Sequence, residues 1–175
     1  MPVPKRILIL GPSGAGKSTL ARRLGARLGV PVVHLDAINW NPGWVPTEPE
    51  QFRARLAEAA ATESWVMDGN YTSHLDLRLP RAEAVIWLDL PRYIYLPCTL
   101  SRTRAAMAAL ATISAWAALN GSIWSFQRLG MDLSGTQPLP ACRLLANLPI
   151  GIRGIILRSR AEVRTFTDNL PGSLE

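Results

Sequence analysis

Lys17 and Ser18 close the run Gly11-Pro12-Ser13-Gly14-Ala15-Gly16-Lys17-Ser18, whose residue types suit one piece of chemistry, the grip of an anion by backbone N–H groups. Gly11, Gly14 and Gly16 let the chain bend tightly enough for successive N–H groups to point inward. A lysine after the last glycine adds a mobile positive charge, and the hydroxyl that follows can face a hard cation. The pattern is G-x-x-x-x-G-K-[ST], the phosphate-binding loop, and its meaning depends on context: it must follow a strand and open a helix. Arg6 to Leu10 is a short, almost wholly apolar run of the kind buried on both faces of a parallel sheet. Beyond the loop, Leu20, Leu24 and Leu28 recur at helical spacing from a start near Lys17, setting the positive end of a helix under the same anion.

The candidate nucleotide-binding residues are therefore Gly11, Pro12, Ser13, Gly14, Ala15, Gly16, Lys17, Ser18 and Thr19, with ATP as the expected ligand. Lys17 is expected to reach the β and γ phosphates and to follow the charge on a transferred phosphoryl group. The Ser18 hydroxyl is expected to face Mg²⁺.

Three carboxylates follow apolar runs. Asp36 follows Pro31 to Leu35, Asp68 follows Trp65 to Met67, and Asp89 follows Ala84 to Leu88. In an open α/β sheet ligands sit at the carboxyl ends of the strands, so all three belong near the phosphate loop. Mg²⁺ uses one or two carboxylates together with phosphate oxygens and waters. Asp68 is assigned to the magnesium shell with Ser18, and Asp36 to orienting an acceptor hydroxyl or accepting its proton. Asp89, before Leu90-Pro91, is assigned to the turn. Arg78 and Arg81 are expected to hold a transferred phosphoryl group or an acidic acceptor through their fixed forks of donors. Trp40 and Trp44 either stack on a planar acceptor or pack under the loop. His34 reads as a core or rim histidine and His74 as an exposed cap.

The remaining scaffold alternates helices with strands. Thr47 and Glu50 predict a helix start, with the helix running to about Ala61, and Gly154 to Leu157 a fifth strand. A helical pattern lies around Ala141 to Leu148, and Ser159 with Glu162 predicts a capped helix from Arg160 to about Asn169. The expectation is one α/β domain over 1–175, a P-loop NTPase three-layer sandwich on a mostly parallel five-stranded sheet, nucleoside-monophosphate-kinase-like.

Composition fits a folded chain: of 175 residues 48% are hydrophobic and 18% charged. Nineteen Lys and Arg against thirteen Asp and Glu give +6, which suits a nucleic acid, an acidic membrane surface or a polyphosphate substrate, with an arginine-rich solvated surface as the plain alternative. Cys98 and Cys142 match neither a metal spacing nor a disulfide framework, and the start of the chain is unlike a signal peptide, so a cytoplasmic protein is expected.

The segment around 98–152 differs from its flanks, with Asp132 its one acidic residue. Ala105 to Gln127 carries no formal charge, a length able to span a bilayer, yet its Ser, Thr, Asn and Gln residues oppose a membrane span. Arg102 and Arg104, just before it, are expected to neutralise charge from a mobile lid as a phosphoryl group moves.

The phosphate loop, His34-Leu35-Asp36, Asn41-Pro42-Gly43-Trp44, Asp68-Gly69-Asn70-Tyr71, Leu77-Arg78-Leu79 and Leu88-Asp89-Leu90-Pro91-Arg92 together resemble the adenylate-kinase-like P-loop proteins named DNA topology modulation protein, or FlaR. Ile156 to Arg160 is similar to that family's last strand and following helix start. The resemblance implies a small kinase-like fold with ATP and Mg²⁺, and functions ranging from kinase to an effect on DNA topology. It also implies that Asp68 helps organise magnesium. The arginine that adenylate kinase carries three residues beyond the glycine of this Asp-Gly pair is here Thr72, which argues against AMP as acceptor. The family's arginine-rich lid has no equivalent between Cys98 and Ile152; compensating reading-frame shifts and ordinary divergence both account for this. The expected activity is an ATP-dependent phosphotransferase acting on a small-molecule acceptor. The alternatives are an ATPase and a nucleotide-dependent DNA-associated regulatory protein; no helix-turn-helix, zinc site or long basic stripe supports nucleic acid.

Overall fold

Ile7 and Ile9 alternate with Leu8 and Leu10 along one strand, and all four are buried because each face of the sheet carries its own helical layer. The computed structural model describes residues 3–42, 45–91 and 141–170. The described strands are β1 (Arg6–Leu10), β2 (Val32–His34), β3 (Trp40–Asn41), β4 (Val45–Pro46), β5 (Trp65–Asp68), β6 (Ala84–Leu88) and β7 (Arg153–Leu157). The described helices are α1 (Lys17–Leu28), α2 (Leu35–Asn39), α3 (Pro49–Ala61), α4 (Leu75–Arg78), α5 (Ala141–Ala146) and α6 (Arg160–Asp168).

Five strands pair in the order β2-β5-β1-β6-β7, every pairing parallel. Ile7 and Ile9 pack with Leu20 and Leu24 of α1, Ile86, Leu157 and, from α6, Val163 and Phe166. Leu8 and Leu10 pack on the opposite face with Leu35, Phe52, Leu56, Met67 and Trp87, joined by Leu144 and Leu145. Each large side chain buried in this way stabilises the fold by about 1.5–3 kcal/mol. The result is the three-layer α/β sandwich with a five-stranded parallel sheet that the alternation of elements predicts.

Two local expectations are corrected. The second strand stops at His34 rather than Leu35, because a turn of helix directs Leu35 into the core, where it is fully buried. Thr47 does not cap α3. Its Oγ1 donates to Ile38 O at 3.0 Å and its N–H to Asn39 O at 2.7 Å, closing the small β3–β4 hairpin, and Glu48 takes the N-cap position. The cap on α6 is as expected: Ser159 Oγ accepts from Glu162 N–H at 3.1 Å, while the Glu162 carboxylate accepts from Arg158 N–H at 2.8 Å.

Candidate functional site

The phosphate loop leaves β1 at Gly11 and enters α1 through Gly16, its N-cap residue. Gly11 has φ +142°, and a Cβ there would lie 2.6 Å from Leu88 O, so only glycine lets the loop start this close to β6. Lys17 Nζ donates to the carbonyls of Gly11 and Pro12, 3.0 Å each, and so lies along the loop it is expected to serve. Ser18 and Thr19 follow in the first turn of α1, both exposed.

Asp68 ends β5, the neighbour of β1, and stands opposite Ile9 on the face that carries α1. Only 5% of it is exposed, and its Oδ2 accepts from Ser18 Oγ at 2.6 Å. The two residues assigned to magnesium are thus in contact. A hydroxyl and a carboxylate are hard oxygen donors suited to Mg²⁺, and two such groups leave the other positions to phosphate oxygens and water. Among the described residues no group of three or more His, Cys, Asp or Glu residues could hold a metal.

The other Asp68 oxygen, Oδ1, is bonded to His34 Nδ1. The two residues are register partners in the β2–β5 ladder, so their side chains leave the sheet together. His34 is therefore a rim histidine, as its sequence position suggests, but one that contacts the site carboxylate. Reading the chain strand by strand cannot reveal this, because the β2–β5 register is set by tertiary packing.

After Asp68 the chain turns sharply. Gly69 has φ +131°, and a Cβ there would lie 2.8 Å from Leu35 Cβ. Asn70 Oδ1 accepts from Gly11 N–H at 3.1 Å, tying this turn to the phosphate loop. Tyr71 has φ +29°, a strained setting for a bulky residue that costs on the order of 1–3 kcal/mol, and its hydroxyl donates to Asp36 Oδ1 at 2.8 Å. Asn70 and Tyr71 enter the sequence reading only as part of the run Asp68-Gly69-Asn70-Tyr71, with no role assigned to either; their contacts tie the turn to the phosphate loop and to α2.

Arg78 is where structure and expectation part. The residue is 0% exposed, and its guanidinium donates to Gly69 O at 3.1 Å, Asn70 O at 2.8 Å, Tyr71 O at 3.0 Å and His74 O at 3.4 Å. It braces the Asp68–Tyr71 turn from within, so the expected phosphoryl or acceptor contact gives way to a carbonyl-binding role. Burial pulls its guanidinium down to about 10, which leaves it a cation at neutral pH. Arg81 donates to Ala61 O at 3.2 Å, beside the amino ends of β5 and β6 and across the sheet from the loop, which removes it from the site as well.

Asp36 sits exposed in α2 at the carboxyl end of β2, on the loop side of the sheet. Asp89 is exposed with its Oδ2 3.9 Å from Arg158 Nε, and its N–H donates to Leu157 O at 2.9 Å, so its contacts run to the end of β7. His74 takes the N-cap position of α4 without a side-chain cap bond and is half-buried rather than exposed, with its ring edge-on to Phe52 and Nδ1 2.9 Å from Ser73 Oγ. Trp40 is half-buried in β3. Trp44, Arg102 and Arg104, with the segment expected to form a lid, lie outside the described residues.

Fold and loop together define a P-loop α/β domain in which a strand-end carboxylate meets the loop serine. Comparison with known proteins points to the same class. Residues 7–89, just under half of the chain, match the family described as ATPase family associated with various cellular activities (AAA). The ATP-dependent protease ATPase subunit HslU of Persephonella marina is 39% identical over 59 residues, 33% of this chain and 13% of that protein. The HslU subunit of Bartonella bacilliformis is 41% identical over 59 residues, 33% of this chain and 14% of its own length. The chain thus spans about one seventh of the curated relatives it matches. Among solved structures, a sugar kinase from Janibacter sp. has 16% identity and a TM-score of 0.44, covering 95% of this chain and 91% of its own. A gluconokinase from Sinorhizobium meliloti has 23% identity and a TM-score of 0.37, covering 49% and 57%. None of these is a DNA topology modulation protein, the family the motifs resemble. Among the described residues no helix is long and apolar enough to cross a membrane.

Proposed function

We propose that this chain is an ATP-dependent phosphotransferase, a single domain over 1–175 that moves the γ-phosphoryl of ATP to a hydroxyl of a small-molecule acceptor in the cytoplasm. The observation that carries the reading is the Ser18–Asp68 contact of 2.6 Å beside the phosphate loop. ATP lies along the loop from Gly11 to Thr19, held by those of its N–H groups that face inward, with Lys17 exchanging the carbonyls of Gly11 and Pro12 for phosphate oxygens. Ser18 and Asp68 hold Mg²⁺, which when bound draws charge from the phosphate oxygens. Asp36 takes the proton of the acceptor hydroxyl as its oxygen bonds to the γ-phosphorus; the bond from that phosphorus to the β–γ bridging oxygen breaks, and its electron pair leaves with ADP. Arg102 and Arg104 neutralise charge from the segment around 98–152 as the site closes.

ATP hydrolysis is the second reading, and the match of residues 7–89 to an ATPase family favours it. The same groups serve both, since water enters in place of the acceptor if the lid does not exclude it. The resemblance to DNA topology modulation proteins and the +6 charge support a nucleotide-dependent DNA-associated role only weakly.

ADP release from Mg-ATP, alone and with a panel of nucleosides, nucleotides and small hydroxyl compounds, separates the readings. Release stimulated by one acceptor and abolished by Lys17→Ala identifies a phosphotransferase. Release that no acceptor stimulates identifies a hydrolase. No release with ATP binding intact contradicts both.

A further inference from the structure

Among the described residues Tyr71 is the only non-glycine with positive φ. Such a backbone suits glycine or asparagine, so an aromatic side chain held there points to what the side chain does. The main chain is fixed on both sides: Arg78 Nη2 donates to Asn70 O and Tyr71 O, and Tyr71 O also accepts from His74 N–H at 2.9 Å. The ring rests on Phe52, centroids 5.1 Å apart. From this support the hydroxyl donates to Asp36 Oδ1 at 2.8 Å, tying the turn to α2. Asp36 Oδ2 has no hydrogen-bond partner among the described residues.

Resting on the assignment of Asp36 to the acceptor, we infer that Tyr71 is a positioning residue: it fixes one oxygen of the Asp36 carboxylate so that the other is presented to the acceptor hydroxyl. The turn that carries Tyr71 also carries Asp68, bonded to Ser18, and Asn70, bonded to Gly11. One braced turn therefore sets the magnesium carboxylate, the start of the phosphate loop and the acceptor carboxylate in a single frame. The spacing between donor and acceptor halves of the site is then a property of Asp68 to Tyr71, with Arg78 behind it. An oxygen offered by a carboxylate already bound on its other side selects a neutral hydroxyl as acceptor and disfavours an anion at that point.

The test is a double-mutant cycle on ADP release from Mg-ATP, with water alone and with the acceptor panel, together with calorimetric binding of Mg-ATP. Asp36→Asn is expected to slow release strongly. Tyr71→Phe is expected to slow it roughly 10–100-fold, through kcat or the KM of the acceptor, with Mg-ATP affinity retained. On the Asp36→Asn background Tyr71→Phe is expected to add almost nothing. Tyr71→Asn, which suits the positive φ and removes the phenol, should act in the same direction and serves if Tyr71→Phe does not fold. Asp36→Asn with wild-type release, or no release by the wild type under any condition, overturns the Asp36 assignment and this inference with it. Asp36→Asn impaired while Tyr71→Phe and Tyr71→Asn match the wild type overturns the inference alone. Equal losses on both backgrounds, or lost Mg-ATP affinity in Tyr71→Phe, assign Tyr71 to packing and likewise overturn it.

Discussion

Ser18 Oγ donates to Asp68 Oδ2 at 2.6 Å, joining the first turn of α1 to the end of β5. If this pair holds the metal of Mg-ATP, then Asp68→Asn and Ser18→Ala lower affinity for Mg-ATP by about tenfold or more, since each removes a hard oxygen ligand. Binding of ATP with the metal chelated changes little. Isothermal titration with and without Mg²⁺ checks both statements, and equal losses under the two conditions would assign the pair to structure.

Among the described residues Arg78 is the one buried cation, and it braces three successive carbonyls. Arg78→Met keeps much of the volume and removes every donor, leaving the carbonyls of Gly69, Asn70 and Tyr71 short of partners. The expected loss of stability is on the order of 2–5 kcal/mol by urea denaturation. A change within about 0.5 kcal/mol would show that water or a rearranged turn satisfies these carbonyls.

Gly69→Ala should destabilise the fold by about 1–3 kcal/mol, because φ +131° and the 2.8 Å approach to Leu35 Cβ leave no relaxed place for a methyl group. Gly29→Ala is the comparison. At φ +65° a Cβ meets nothing within 4 Å, so only the backbone term remains and the loss is the smaller of the two. Equal losses in denaturation would remove the argument from close approach.

Burial, then the negative charge of Asp36, then the hydrogen bond to it raise the Tyr71 phenol above the ordinary tyrosine range, and the Asn39 hydrogen bond opposes them in part. A raised folded-state value means that the folded protein holds the proton longer than the unfolded chain. The stabilisation is fully present below the unfolded value, about 10, and is lost as pH rises from there through the folded value. Absorbance of tyrosinate near 295 nm, compared between wild type and Tyr71→Phe, should show Tyr71 ionising only as the protein unfolds. Ionisation near pH 10 with the fold intact would contradict the Tyr71–Asp36 contact.

Much of this architecture can be read from the chain because it is written locally. The apolar runs from Arg6 and from Ala84 are buried on both faces, the loop pattern lies between strand and helix, and Ser159 with Glu162 announces α6. What could not be read depends on contacts distant in sequence. The β3–β4 hairpin has two-residue strands, too short for a periodicity, and is fastened by Thr47 to the backbone of Ile38 and Asn39. Arg78 has the composition of a ligand-binding residue, and only its burial against three successive carbonyls shows its use. The His34–Asp68 and Tyr71–Asp36 contacts join separate elements, and no local pattern encodes either.

Binding of a nucleoside triphosphate by Gly11 to Thr19 is read out by calorimetric titration of wild type and Lys17→Ala with Mg-ATP. One saturable site is expected in the wild type and a loss of roughly 30-fold or more in the variant, because a charged hydrogen-bonding partner of phosphate is removed. Unchanged affinity in Lys17→Ala, or no binding by the wild type, would contradict it.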